Sequence, residues 1–151
     1  MHEFQYKLAT REEITKRWDK NIADNPSDEE WVKRKAIGLE NFDDEDFKKF
    51  VIMHGDDPIG EGTLIFEEDN VDIQALRIDK HYEGQGHISK LVKVMEQYAR
   101  DNGCTNATIG VEPNETRNMS IYFHWGYTNF EKAEMKLRDD EPFILYYSKK
   151  L

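Results

Sequence analysis

The stretch Glu83-Gly84-Gln85-Gly86-His87-Ile88-Ser89 carries two glycines one residue apart, between the run Ala75-Leu76-Arg77-Ile78 and the helical stripe Leu91, Val92, Met95, Ala99. A chain turning there from strand to helix aims several unpaired backbone N–H groups, with the positive end of the helix dipole, at one spot. That spot suits an anion, phosphate above all. Gly84 and Gly86 let the backbone turn tightly and approach a ligand with no Cβ in between. The chain has no Gly-x-x-x-x-Gly-Lys-Ser/Thr phosphate loop, and no early strand opens a dinucleotide-binding unit. The single cysteine, Cys104, excludes an internal disulfide, fits a reducing compartment and reads as a buried structural thiol, since no base sits beside it. The five histidines (His2, His54, His81, His87, His124) show no metal-ligand spacing, so no metal is expected.

The 151 residues are expected to form one domain with a single core. Hydrophobic residues at 38% suit a globular fold, while a net charge of −10 gives an acidic, soluble surface. That balance argues against a nucleic-acid partner, which needs a basic face. It would steer a cationic partner inward. No apolar run is long enough to span a membrane and Met1-His2-Glu3-Phe4 has no signal-peptide character, so the expectation is a cytoplasmic protein without a membrane partner.

The elements that must position the glycine turn follow from periodicity. Phe4 to Leu8 alternates as a first strand. Thr10 with Glu13 is a capping box opening a helix through Ile14, Trp18 and Ile22. Ser27 with Glu30 reads as a second box, followed by Trp31, Val32, Ala36 and Ile37, with Gly38 and Asn41 as the stop. Phe47–His54, Ile59–Phe66 and Val71–Ile78 are strands joined by short turns, which predicts an antiparallel meander. After the glycine turn, a helix from Ile88 ends at Gly103. The strand Ala107–Val111 would then lie parallel to Val71–Ile78 by a right-handed crossover. A short helix ends near Gly126, and a hairpin from Tyr127 to Leu137 and Phe143 to Ser148, turned at Arg138-Asp139-Asp140-Glu141, closes the chain.

From Phe50 to Tyr127, the order of strand, Tyr82-Glu83-Gly84-Gln85-Gly86, helix, strand and Tyr122-Phe123-His124-Trp125-Gly126-Tyr127 resembles the GNAT superfamily of N-acetyltransferases. The resemblance implies an α/β (α+β) fold: a mixed sheet with an antiparallel meander, then a parallel pair splayed at the cofactor site, flanked by helices. It implies acetyl-coenzyme A as cosubstrate, with pantetheine on the backbone of Leu76, Arg77 and Ile78. The pyrophosphate would rest on the turn Glu83, Gly84, Gln85, Gly86, His87, Ile88 and Ser89, with Ser89 adding a hydroxyl. Tyr122, four residues before Gly126, holds the position of the family's tyrosine near the thioester sulfur and is the candidate proton donor; Tyr127 replaces the usual phenylalanine. This chain departs from the family at His81 and Glu83, at Ile88, and at Glu115, where an asparagine is common. Asn118, one helical turn before Tyr122, is the substitute cofactor contact.

Acetyl transfer to an amine needs a neutral amine, an oxyanion donor and a proton for the thiolate. The base stays open among Asp72, Gln74's neighbour on one side of its strand, and Glu61 and Glu112, with Asp72 the choice. Two readings also stay open for the early helices. Trp18, Trp31, Asp19, Asp24, Asp28, Glu29 and Glu30 could wall a site for a cationic amine, or the tryptophans could be core. The expected activity is an acyl-CoA-dependent N-acetyltransferase acting by direct transfer on a small molecule or peptide. A noncatalytic acyl-CoA-binding or sensing domain is the alternative. Phe143, Leu145 and Tyr147 on one side of the last strand suggest a homodimer.

Overall fold

A computed structural model describes residues 3–135 and 143–151. The expected turn at Arg138-Asp139-Asp140-Glu141 and His2 lie outside them. The described strands are β1 (Phe4–Leu8), β2 (Phe47–His54), β3 (Asp57–Glu67), β4 (Asn70–Ile78), β5 (Asn106–Val111), β6 (Asn129–Met135) and β7 (Phe143–Lys150). The helices are α1 (Arg11–Asp24), α2 (Glu29–Glu40), α3 (His87–Asp101) and α4 (Thr116–His124). The strands form one mixed sheet in the order β1-β2-β3-β4-β5-β7-β6. This is the expected α/β class, with the meander entering a parallel β4–β5 pair. The chain divides into two compact units, Met1–Ile65 with Ala75–Met95, and Phe66–Gln74 with Glu96–Leu151.

In the first unit, α1 begins as its sequence dictates. Thr10 accepts the Glu13 N–H while Glu13 accepts the Thr10 N–H, so both arms of the capping box form. The buried stripe of α1 is Ile14, Arg17, Trp18 and Asn21 rather than one running on to Ile22. Asp28, not Ser27, caps α2 by accepting the Glu30 N–H. Gly38 does not stop α2 but lies within it, where a Cβ would stand 2.1 Å from Trp18 Cη2. A glycine there costs about 1 kcal/mol of helix propensity, and it lets the α2 backbone lie against the indole. Trp18 is core, packed with Ala9, Ile14, Val51 and Met53, whereas Trp31 is only partly buried.

The second unit is built on β4 and β5, paired from Asn70↔Asn106 to Ile73↔Ile109, with β7 and β6 adding antiparallel ladders. The β4–β5 ladder stops at Ile73. Ala75 follows at φ +55°, a left-handed conformation rare outside glycine, and this irregularity carries Leu76–Ile78 out of that ladder. Tyr127 is fully buried, and its hydroxyl donates to Glu96, which also pairs with Lys149. Cys104 is buried, and burial first, then the nearby Asp69, pushes its thiol up, which suits an inert structural thiol. Among the described residues, no helix is long and apolar enough to cross a membrane.

Candidate active site

The glycine turn sits in the first unit and is held at both ends. After β4, the Asp79 N–H bonds to Ile59 O at 2.8 Å, and Lys80–Tyr82 form one 3₁₀ turn that the sequence reading did not foresee. Gly84 (φ +73°) and Gly86 (φ +82°) are both left-handed, and a Cβ at either would meet nothing within 4 Å. The turn is therefore open where a ligand would approach, and only glycine adopts it without strain. α3 starts at His87 and runs fifteen residues, so its first amides remain for an anion.

The ring systems around the turn clamp it to β1 and β2. Tyr82 Oη lies 2.8 Å from His54 Nδ1, and Tyr6 Oη lies 2.8 Å from His87 Nδ1. Phe4 stacks on His54 and tilts against His87. His87 is buried, and its imidazole is held below the ordinary value by burial first, then by Lys90 and His54. Its side chain is thus committed to the protein, and only its backbone is available to a phosphate. Gln85 is exposed, with its amide reaching His81 O, and Ser89 is half-buried.

Leu76, Arg77 and Ile78 line an open cleft of about 460 Å³, together with Glu83 and Ile88 from the turn and the start of α3. That volume lies in the range of small-molecule sites. Arg17, Asn21 and Trp31 from the early helices also line it. The early helices' acids form no wall there. Asp19 pairs with Lys35, Glu30 with Lys33, Asp28 caps α2, and Asp24 and Glu29 are exposed. Arg17 and Asn21 were missed by the sequence reading. Their signal was phase: they share a helix face with Ile14 and Trp18, where polar residues are unexpected.

Behind the cleft lies a buried charge cluster. Glu61 is fully buried; its Oε1 accepts from Arg77 Nη1 at 3.0 Å, and its Oε2 lies 3.6 Å from both Arg17 Nε and Lys49 Nζ. Burial alone would raise its carboxyl, but Lys49, Arg17 and Arg77 together hold it below the usual carboxylate range. Glu61 was one of the open choices for a base; this setting makes it a permanent counter-ion instead. Lys49 is pushed down to about 8, by burial chiefly, with Glu61 opposing and Arg77 and Arg17 adding repulsion. Asp79 accepts from Arg17 Nη1 at 2.9 Å and Lys20 Nζ at 2.7 Å, which ties α1 to the end of β4.

The remaining candidates lie in the second unit. Tyr122, on α4, tilts against Trp125 at 5.5 Å between ring centroids, and burial, then Glu115, raises its phenol. Asp72 accepts from Gln74 Nε2 at 2.6 Å and Thr108 Oγ1 at 2.8 Å, and burial raises its carboxyl despite both bonds. Glu115 bridges the entry to α4: it accepts the Glu112 N–H and the Asn118 amide at 3.0 and 2.9 Å. The Asn118 amide is therefore engaged by Glu115.

No curated protein matches the chain in sequence. Among solved structures, the acetyl transferase of Salmonella typhimurium that modifies the N-terminal serine of 50S ribosomal subunit protein L7/L12 is similar, with a TM-score of 0.75 at 16% identity over 98% of this chain and 95% of that one. The ribosomal-protein-S18-alanine N-acetyltransferase of Escherichia coli gives 0.74 at 12% identity, covering 99% and 94%. The PaiA N-acetyltransferase of Thermoplasma acidophilum, in complex with coenzyme A, gives 0.66 at 14% identity, covering 99% and 99%. At these identities the likeness is one of fold. The acetyltransferase (GNAT) family profile matches residues 8–127, from the end of β1 to the buried Tyr127, so that glycine turn, splayed strand and α4 tyrosine all fall inside the match: the chain belongs to the GNAT family of acetyltransferases.

Proposed function

We propose that the protein transfers an acetyl group from acetyl-coenzyme A directly to a primary amine. The observation that carries this reading is the turn of two left-handed, unobstructed glycines entering α3, beside a strand end that has left its ladder. Leu76, Arg77 and Ile78 would offer backbone groups to the pantetheine amides. The amides from Glu83 to Ser89 would receive the pyrophosphate, with the Ser89 hydroxyl. When bound, the cosubstrate supplies an acyl carbon activated by a thiol leaving group.

The protein's own residues supply the proton traffic. Tyr122 would give a proton to the departing sulfur and regain one, through solvent, from the attacking nitrogen as the amide forms; its raised phenol stays protonated until it is needed. Asp72, whose carboxyl burial makes more basic than an ordinary aspartate, takes the ammonium proton through water. Asn118 would contact the cosubstrate only by exchanging its bond to Glu115. A lone buried thiol suits a reducing compartment, and we place the reaction in the cytoplasm.

Titration calorimetry with acetyl-coenzyme A is the test, followed by free-thiol release with a panel of amines. Saturable binding near one per chain is expected. Tyr122→Phe should lower kcat by about 10²- to 10⁴-fold with binding intact; unchanged turnover would remove Tyr122 from this role. No binding at millimolar ligand would refute the transferase. Binding without turnover for any amine would instead mark a noncatalytic acyl-CoA-binding domain, a reading that the Glu83 carboxylate on the cleft favours.

A further inference from the structure

We propose that the cleft of the first unit receives a carboxylate, so that the acceptor is an amine that also bears an acid group, held by Arg77 and Asn21. The word acceptor rests on the transferase reading; the carboxylate site does not. Four cations, Arg17, Lys20, Lys49 and Arg77, meet in the cluster behind the cleft. They face the carboxylates of Glu61, Asp79 and the half-exposed Asp57. Four cations against three carboxylates leave the cluster an excess of positive charge.

Three residues on the cleft's lining keep unused donors: Arg77, Asn21 and, at its Nε, Arg17. Arg77, about a third exposed, has one guanidinium hydrogen bond among the described residues, from Nη1 to Glu61, and lies 5.6 Å over the Trp31 ring. A guanidinium offers five N–H donors in a planar fork matched to a carboxylate. Asn21 is 8% exposed, and its Nδ2 is buried with no partner among the described residues. A buried donor without an acceptor is costly; Asn21 Nδ2 is closed to solvent in this structure, so a ligand oxygen would satisfy it once the amide turns toward the cleft. Trp31, Leu76 and Ile88 give the ligand's body an apolar surface. The acids on the lining do not reverse the sign, because Asp79 is neutralised by Arg17 and Lys20, and exposed Glu83 is matched on the lining by Lys80. A polyamine would meet guanidinium groups here and be repelled.

Calorimetry of the full chain with N-acetyl-leucine and with its methylamide, which differ in the carboxylate alone, tests this. The acid should bind about ten- to a hundredfold more tightly, the ratio expected for a charge-assisted hydrogen bond. Arg77→Gln and, separately, Asn21→Ala should shrink that ratio. In the first, Glu61 keeps Arg17 and Lys49 as counter-ions; in the second, the amide nitrogen lost has no hydrogen-bond partner among the described residues. Equal binding of the two probes, no binding of either, or a preference that both variants leave intact would overturn the proposal. Acetyl-coenzyme A titrated into the same protein separates the two readings. A carboxylate preference without acetyl-coenzyme A binding keeps this site and removes the transferase. The reverse keeps the transferase and removes this site.

Discussion

Replacing Glu61 by glutamine asks whether one carboxylate holds the charge cluster together. The carboxylate is fully buried, with Arg77 at 3.0 Å and Arg17 and Lys49 at 3.6 Å. At an effective dielectric near 20, each pair represents about 5 kcal/mol of gross attraction, most of it offset by stripping water from the ions. The variant keeps three cations close together and loses the charge that made them tolerable. Breaking a buried pair in this way costs about 3–5 kcal/mol. Lys49 sets the lower end: already depressed to about 8, it loses its main attractive partner and sheds its proton, which relieves part of the repulsion. The expected loss is about 3 kcal/mol, read by urea unfolding as a lower midpoint with the slope unchanged. Adding Lys49→Met to the Glu61→Gln variant should restore part of that stability, because the two sites are in contact and couple. A loss below about 1 kcal/mol, or no recovery in the double variant, would mean that Glu61 is not what balances the cations.

Other variants test separate parts of the molecule. Gly86→Ala puts a side chain on a residue at φ +82°; the expected cost is about 1–2 kcal/mol of stability and weaker acetyl-coenzyme A binding, and an unchanged Kd would remove the turn from the cosubstrate site. Gly38→Ala improves helix propensity yet drives a Cβ to 2.1 Å from Trp18 Cη2; thermal unfolding should show a net loss of about 1–3 kcal/mol, and a higher Tm would show that α2 can shift off the indole. Lys49 predicts a pH effect: its folded value of about 8 lies below the unfolded 10.5, so the unfolded chain binds more protons in that window and stability rises with pH. Relative to Lys49→Met, wild type should gain about 2 kcal/mol between about pH 7.5 and about pH 9.5. A difference that stays flat would place the Lys49 titration outside that window.

What the sequence determined by itself was everything set by neighbours a few residues apart. The Thr10–Glu13 capping box, the glycine turn before α3 and the α3 stripe depend on local hydrogen-bond geometry and helical period, and those are written in adjacent residue types. The parallel β4–β5 pair follows from the handedness of a strand-helix-strand crossover. Local signals also misled: Ser27 and Asp28 are both good caps, and Gly38, which reads as a helix stop, is a point of close approach inside α2. Only the tertiary structure decided what each charge faces. Glu61 stands among the open choices for a base until Arg17, Lys49 and Arg77, from three other elements, close around it. The acids of α1 and α2 leave two readings open, a wall for a cationic amine or helices whose tryptophans are core, until the fold puts Arg17, Asn21 and Trp31 on the cleft and those acids off its lining. A side chain's ionisation and its chemical use depend on groups within a few ångströms in space, and for these residues those groups lie far away along the chain.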